Sequence, residues 1–307
     1  MIFLVYKARS GSTLLSSMLN TIDKVGVTIE DSIPGGLGLI DKNYNNKNEI
    51  YDILLNDKKF KEWKISKSKI KKIVYNGQDV LQEMLSAYFN TKKVEQYIYK
   101  CPGYIHYPKV LLDKYPNSKF IHIYRDPRAV YSSQNNNKIS SDDKYFSTNP
   151  FTFSLVWKRA IKQSFIFNNN NRFINIKYED LVEKPEKTLK AITKFIGVEY
   201  KILKSNDYYS NIPKNQRYLH KNIKDKPLSS RINAWEEKIS INESNMIQIL
   251  LKREMKILGY NEKSYNSNFM FIFFFLKYLV SHFLTYFSNI ILSLLSPKSF
   301  LLKFKYR

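Results

Sequence analysis

Ile2-Phe3-Leu4-Val5-Tyr6-Lys7-Ala8-Arg9-Ser10-Gly11-Ser12-Thr13-Leu14 is the stretch that decides the fold. Its apolar run, Ile2 to Tyr6, predicts a buried first strand. Positive charge comes after that run, at Lys7 and Arg9, whereas a secretory signal carries charge first and a longer apolar segment second. A short polar loop then leads into a helix expected from Leu14 to Asn20. A buried strand feeding a loop and a helix is the opening of α/β nucleotide-binding folds. At such a helix start, unpaired backbone N–H groups and the helix dipole make an anion site. Gly11 lets backbone approach a phosphate closely, the Ser12 and Thr13 hydroxyls add donors, and Arg9 adds a permanent forked cation. A Walker A loop is excluded, because no Lys precedes Ser12 or Thr13.

Further strands are expected at Gln96 to Lys100, Lys119 to Tyr124 and Phe173 to Ile176. Helices are expected over 79–89, 108–114, 127–133, 151–167, 185–196 (closed by Gly197) and 243–258 (ending at Gly259). This alternation predicts an α/β fold, a P-loop-like parallel sheet flanked by helices on both faces. Residues 32–76, with a Pro34-Gly35-Gly36 turn and an Asn-rich stretch near Tyr44, have no clear period. Residues 200–230 are basic and irregular. The Asn tracts at 45–48, 135–137 and 168–171 are expected in exposed loops.

The 307 residues include 50 Lys+Arg against 27 Asp+Glu, a net charge of +23, with 43% hydrophobic and 15% aromatic residues. Such a chain buries a sizeable core, which excludes a disordered tail. The single cysteine, Cys101, permits no intrachain disulfide and fits a reducing compartment. With only 4 His beside it, a structural zinc site is not expected, and no metal is assigned. The charge attracts polyanions, but no nucleic-acid-binding signature accompanies it.

From Phe269 to Ser296 the chain is almost wholly apolar or small, with Lys277 as its one formal charge. As a helix it would measure about 42 Å, more than the roughly 30 Å of bilayer hydrocarbon. Lys277 leaves Tyr278 to Leu295 as the uncharged portion, and Lys298, Lys303, Lys305 and Arg307 follow. The expectation is an α/β domain over 1–260 and an apolar helical extension over 261–307. The extension would be membrane-associated through 269–296, either spanning or lying flat, with the first domain on the cytoplasmic side. A buried core helix, or two amphipathic ones, is the other reading.

A second anion motif, Arg125-Asp126-Pro127-Arg128-Ala129-Val130-Tyr131-Ser132-Ser133, follows a strand and opens a helix. Arg125 and Ser133 could face one phosphate, while Arg128 is as well suited to pairing with a carboxylate. Together the two segments resemble the PAPS-dependent sulfotransferases, where PAPS is 3′-phosphoadenosine 5′-phosphosulfate. Arg9 to Thr13 match that family's 5′-phosphosulfate loop, [KR]-[ST]-G-[ST]-T. Arg125 and Ser133 match its 3′-phosphate motif, R-D-P-R-x-x-x-x-S. Tyr178-Glu179-Asp180-Leu181-Val182 before Pro185-Glu186, and Trp235 with Ser240 ahead of Leu258-Gly259-Tyr260, agree in order. The spelling is closest to carbohydrate, glycolipid and protein-tyrosine sulfotransferases. The R-x-G-x-x-G-x-W-K element of the cytosolic phenol and steroid enzymes is absent, and Pro102 stands where those have a catalytic His, two residues after Lys100.

The resemblance implies sulfuryl transfer from PAPS to a hydroxyl of a carbohydrate or glycolipid. It implies nucleotide binding by Arg9, Ser10, Gly11, Ser12, Thr13, Leu14, Arg125, Ser133 and Tyr178. Leaving-group stabilisation would fall to Arg9 and charge stabilisation to Lys100. The proton would go to Glu30, with Asp31 and then His106 as alternatives. Ser229-Ser230-Arg231 is a looser match to a nucleotide-covering loop. Two other readings remain open: a kinase-like P-loop phosphotransferase, and a membrane-tethered basic module binding acidic lipid or glycan.

Overall fold

The computed structural model describes residues 1–33, 36–40, 44, 46–90, 93–136, 148–165, 169–203, 229–263 and 269–295. Pro34 and Gly35 of the expected turn, Asn45, Asn137 and Asn168 of the Asn tracts, 204–228 of the basic segment and the terminal charges from Lys298 to Arg307 lie outside the described residues. The chain groups into two compact units. The first is Met1–Tyr124 with Gln163–Ser229, and the second is Arg125–Lys162 with Ser230–Arg307.

The first unit carries a five-stranded sheet. Its strands are β1 (Ile2–Tyr6), β2 (Val25–Val27), β3 (Gln96–Lys100), β4 (Lys119–Tyr124) and β5 (Phe173–Lys177), in the order β2-β3-β1-β4-β5. Every neighbouring pair is parallel, with Phe3 opposite both Tyr99 and Phe120, and Phe120 opposite Phe173. The β1 residues are all buried, as expected of the central strand in a sheet covered on both faces. Alternation sends Phe3 and Val5 to one core, and Ile2, Leu4 and Tyr6 to the other. On the first face, Phe3, Phe120 and Phe173 stack in a row with ring centroids 5.3 and 4.4 Å apart.

Helices Lys47–Asn56, Lys67–Asn76 and Val80–Phe89 cover that face through Ile50, Leu54, Ile70, Ile73, Leu81 and Met84. Helices Ser12–Leu19 and Pro185–Ile196 cover the other through Leu15, Leu19, Leu189 and Ile192. The expected α/β class with flanking helices is therefore what the chain adopts. Two helices lie in 32–76, the stretch whose sequence shows no clear period. Each starts at a side-chain cap, Asn46 accepting from Asn48 N–H and Ser66 from Lys69 N–H. The β2 strand was also not anticipated; Val25-Gly26-Val27 is too short to show alternation.

In the second unit, helix Pro127–Asn135 starts with Pro127 in its first turn and Asp126 as its cap. Helix Ile241–Ile257 opens on a capping box, Ser240 and Glu243 bonding reciprocally. The long C-terminal helix is Phe269–Leu295.

Candidate active site

The loop after β1 is built by backbone conformations that side chains normally resist. Arg9 has φ 74° and Gly11 φ 92°, and Ser10 N–H closes a turn onto Lys7 O at 3.1 Å. Gly11 has a second reason to be glycine, since a Cβ there would run into the Tyr178 ring. Helix Ser12–Leu19 starts from Gly11 with no side-chain cap, so its first-turn N–H groups have no internal acceptor at the loop. Beside them Ser10 is 1% exposed, and its hydroxyl has no hydrogen-bond partner. A buried donor lacking an acceptor, next to uncapped amides and a position closed to any Cβ, fits a cradle for a tetrahedral anion. Lys7 lies at the loop's start, where burial lowers its ammonium to about 8.

A polar cluster adjoins this loop. Lys100, at the end of β3 and 2% exposed, places Nζ 3.3 Å from Thr13 Oγ1 and 3.8 Å from Glu30 Oε2. Glu30 Oε1 accepts from Lys59 Nζ at 2.6 Å, and Oε2 accepts from the Tyr6 hydroxyl. Burial alone would raise the Glu30 pKa; Lys100, then Lys59, then their hydrogen-bonding company outweigh it and hold the carboxyl at about 2. Lys100 moves the other way: burial lowers its pKa, and Glu30 only partly offsets that. The Tyr6 hydroxyl is pushed up, first by burial and then by Glu30, so it stays a donor.

Neighbouring segments hold this cluster in place. Trp63 Nε1 donates to Ile29 O at 3.1 Å, Asp57 Oδ2 accepts from Ser32 N–H at 3.1 Å, and Asn20 Oδ1 accepts from Val27 N–H at 2.8 Å. Lys59 carried no signal in the sequence. It lies among other lysines in a segment without periodicity, 29 positions from its partner.

Asp31 makes different bonds. Its carboxyl accepts from Tyr99 OH and from Ile33 N–H, and burial raises its pKa to about 7. His106 ends the short turn Pro102–His106. The structure thus brings Glu30, Lys100, Thr13 and Tyr6 together, and Gly11 against Tyr178, while Asp31 is engaged with Tyr99. A cleft of about 530 Å³ lined by Met1, Gln96, Tyr97 and Ser118 opens at the other, N-terminal, ends of the strands. Parallel sheets bind ligands at the C-terminal ends, where the loop and Lys100 are.

In the second unit, Arg125 donates through Nη2 to Arg231 O at 2.8 Å. Arg231 belongs to the short helix Ser230–Asn233, so the expected loop is helical there. Arg128 is buried. It grips Asp126 at 2.7 and 3.0 Å, donates to Gln248 at 2.8 Å and stacks 4.3 Å from the Trp235 ring centroid. All its reach is spent inside the protein, which suits the carboxylate-pairing alternative. Ser133 sits two turns into helix Pro127–Asn135.

A family model described as "Sulfotransferase family" matches residues 2–201. The omega-hydroxy-beta-dihydromenaquinone-9 sulfotransferase of Mycobacterium tuberculosis is 30% identical over 146 residues, covering 43% of this chain and 34% of that protein. A candidate protein-tyrosine sulfotransferase of Caenorhabditis briggsae is 34% identical over 88 residues, covering 28% of this chain and 31% of its own length. The chain thus spans about a third of the length of these curated relatives. Among solved structures, the sulfotransferase domain from the curacin biosynthetic pathway aligns with TM-score 0.57 and 19% identity, over 86% of this chain and 98% of that one. The sulfotransferase domain of the Synechococcus PCC 7002 olefin synthase aligns with the same TM-score and identity. These two likenesses are of fold.

Proposed function

This chain belongs to the sulfotransferase family, and on that premise we propose that it moves a sulfuryl group from PAPS to a hydroxyl of a carbohydrate or glycolipid. The observation that carries the reading is the strained loop: an uncapped helix start with a buried, unsatisfied Ser10 hydroxyl beside the Glu30–Lys100 cluster. Arg9, Ser10, Gly11, Ser12, Thr13 and Leu14 are assigned the 5′-phosphosulfate, Arg125 and Ser133 the 3′-phosphate, and Tyr178 the wall behind Gly11. When bound, PAPS supplies the sulfuryl group and, in its 5′-phosphate, the leaving group.

The chain's own residues position charge and move one proton. Arg9 is fixed in charge and offsets the negative charge that grows on the departing oxygen. Lys100 lies within reach of Thr13 and offsets charge on the sulfuryl oxygens. Glu30 receives the acceptor proton. At a pKa of about 2 it is ionised at any ordinary pH, and so weak a base suffices because a hydroxyl oxygen bonding to sulfur becomes strongly acidic. The new O–S bond forms as the bond to the 5′-phosphate breaks, and the proton ends on Glu30.

Residues 1–260 are proposed as the catalytic part and 261–307 as the membrane-associated extension, on the cytoplasmic side. The exposed apolar helix Phe269–Leu295 supports that association. The relatives' acceptors, as their names have it, are a tyrosine and a hydroxylated menaquinone; a hydroxyl is common to both.

Calorimetric titration of the full chain with 3′-phosphoadenosine 5′-phosphate, against ATP and AMP, tests the donor. Binding that needs the 3′-phosphate and weakens at least tenfold in Arg125→Ala is expected. Equal binding of ATP would favour a kinase-like enzyme, and no nucleotide binding a basic tether. Sulfate transfer to glycolipid, tyrosine peptide and hydroxyquinone acceptors, compared side by side, then tests the acceptor class.

A further inference from the structure

Helix Phe269–Leu295 presents three different faces around its axis. At about 100° per residue, Phe271, Phe275, Tyr278 and His282 share one line, and this line rests on the protein. Phe151 meets Phe275 with ring centroids 5.7 Å apart, Asn149 Nδ2 donates to Tyr278 O at 3.1 Å, and Thr152 Oγ1 is bonded to His282 Nδ1 at 2.9 Å. On the opposite side run Phe269, Phe273, Leu276, Val280, Phe287 and Ile291, within about 60° of one another. Each is 47–72% exposed, and the stripe they form is about 33 Å long at 1.5 Å per residue. On one flank between these two faces lie Lys277, Ser281, Thr285 and Ser288, all exposed.

An apolar stripe of that length is unfavourable in water and calls for an apolar surface as long as itself. A second copy is a poor occupant, because each chain brings a net charge of +23. An anionic bilayer surface supplies both the hydrocarbon and the opposite charge. A span suits neither of the other two faces. The contacts at Phe275, Tyr278 and His282 fall at or just before the middle of the helix. A span would therefore carry Asn149 and the polar start of helix Pro150–Phe165 into hydrocarbon. It would also immerse Lys277, whereas a helix lying flat keeps Lys277 and the three hydroxyls of its flank at the headgroups.

We propose that helix Phe269–Leu295 lies along the membrane surface. Its Phe269–Ile291 stripe sinks about 5–10 Å among the acyl chains of anionic lipids, and its opposite face carries the second unit on the water side. The helix end, and the sequence beyond it with Lys298, Lys303, Lys305 and Arg307, then stay at headgroup level. The proposal rests on the membrane reading above and goes past it by fixing which residues meet lipid, how deep they lie, and that no span forms.

The test uses the full chain on vesicles of phosphatidylcholine and phosphatidylglycerol. Single cysteines on the stripe (Phe273→Cys, Val280→Cys, Phe287→Cys) and one on the polar flank (Ser281→Cys) carry an environment-sensitive dye, and the native Cys101 is buried away from it. Nitroxide lipids quench the dye at graded depths, and iodide quenches it from water. The three stripe positions should report one shared shallow depth, with Ser281→Cys still open to iodide. A span would place Val280→Cys far deeper than Phe273→Cys and close Ser281→Cys to iodide, which overturns the proposal alone. A stripe shielded from iodide without vesicles, in a chain that sediments as a dimer, would give the face to a second copy and overturn it likewise. Failure to bind vesicles at all overturns the membrane reading with it. Val280→Lys should weaken vesicle binding about tenfold or more, while Ser281→Lys, one residue on but on the polar flank, should not. Equal loss from both would overturn the assignment of faces.

Discussion

Glu30 is the proposed base, and Lys100 and then Lys59 are the cations that hold its carboxyl down. Removing the Lys59 ammonium in Lys59→Met leaves burial less opposed, so the Glu30 pKa rises from about 2 toward the ordinary carboxylate range. The acid limb of the transfer-rate profile should move up with it, while Lys59→Arg keeps it low. Glu30→Gln should cost kcat about 10²–10⁴-fold with little change in nucleotide affinity. Two other buried groups tie stability to pH in opposite directions. Asp31, raised from 3.8 to about 7, contributes stability fully below pH 4 and loses it as pH rises through 7. His122, bonded to Asn175 at 2.8 Å and lowered by burial to about 4, contributes above its ordinary 6.5 and loses that as pH falls through 4. Asp31→Asn should therefore gain on the order of 1–3 kcal/mol relative to the parent between pH 5 and 7.5, read by urea unfolding. Glu30 and Lys100 could be picked only through the family resemblance, as a Glu shortly after the first helix and a Lys two residues before Pro102. Lys59 could not, because only the folding of 47–76 brings it to Glu30.

At the scale of elements, the loop between β1 and the helix Ser12–Leu19 is the piece least free to vary. Gly11→Ala adds a methyl where the Tyr178 ring already stands and forces an L-residue to φ 92°. It should destabilise the fold by about 1–3 kcal/mol and abolish binding of 3′-phosphoadenosine 5′-phosphate. Pairing it with Tyr178→Ala relieves the clash but not the backbone strain, so melting temperature should recover only in part. Ser240→Ala, which removes half of the capping box on Ile241–Ile257, should cost about 1 kcal/mol with nucleotide binding intact. The loop was legible because a wholly buried strand gives an unbroken apolar run before it. The helices Lys47–Asn56 and Lys67–Asn76 were not. Their Lys- and Asn-rich solvent faces hide the few buried positions, Ile50, Leu54, Ile70, Ile73 and Val74, that make them amphipathic. The β2 strand hides for another reason: with Gly26 at its middle and only three residues, its place is set by pairing with Gln96 to Ile98.

Taken whole, the molecule combines a strong positive charge with an apolar helix left largely uncovered. Vesicle association should weaken steeply between low and high salt when the vesicles contain phosphatidylglycerol. It should be weak and nearly salt-independent on phosphatidylcholine alone, as measured by co-sedimentation. The direct bonds from Asn149 and Thr152 to the C-terminal helix have a kinetic consequence. On the proposed membrane association, they tie the anchor to helix Pro150–Phe165 instead of leaving a swinging leash, so a bound molecule would search a plane rather than a volume. For an acceptor that also resides in the bilayer, encounter is then lateral. Turnover should follow the acceptor's surface density, and diluting it with inert lipid should slow the reaction even when the total amount in the tube is unchanged.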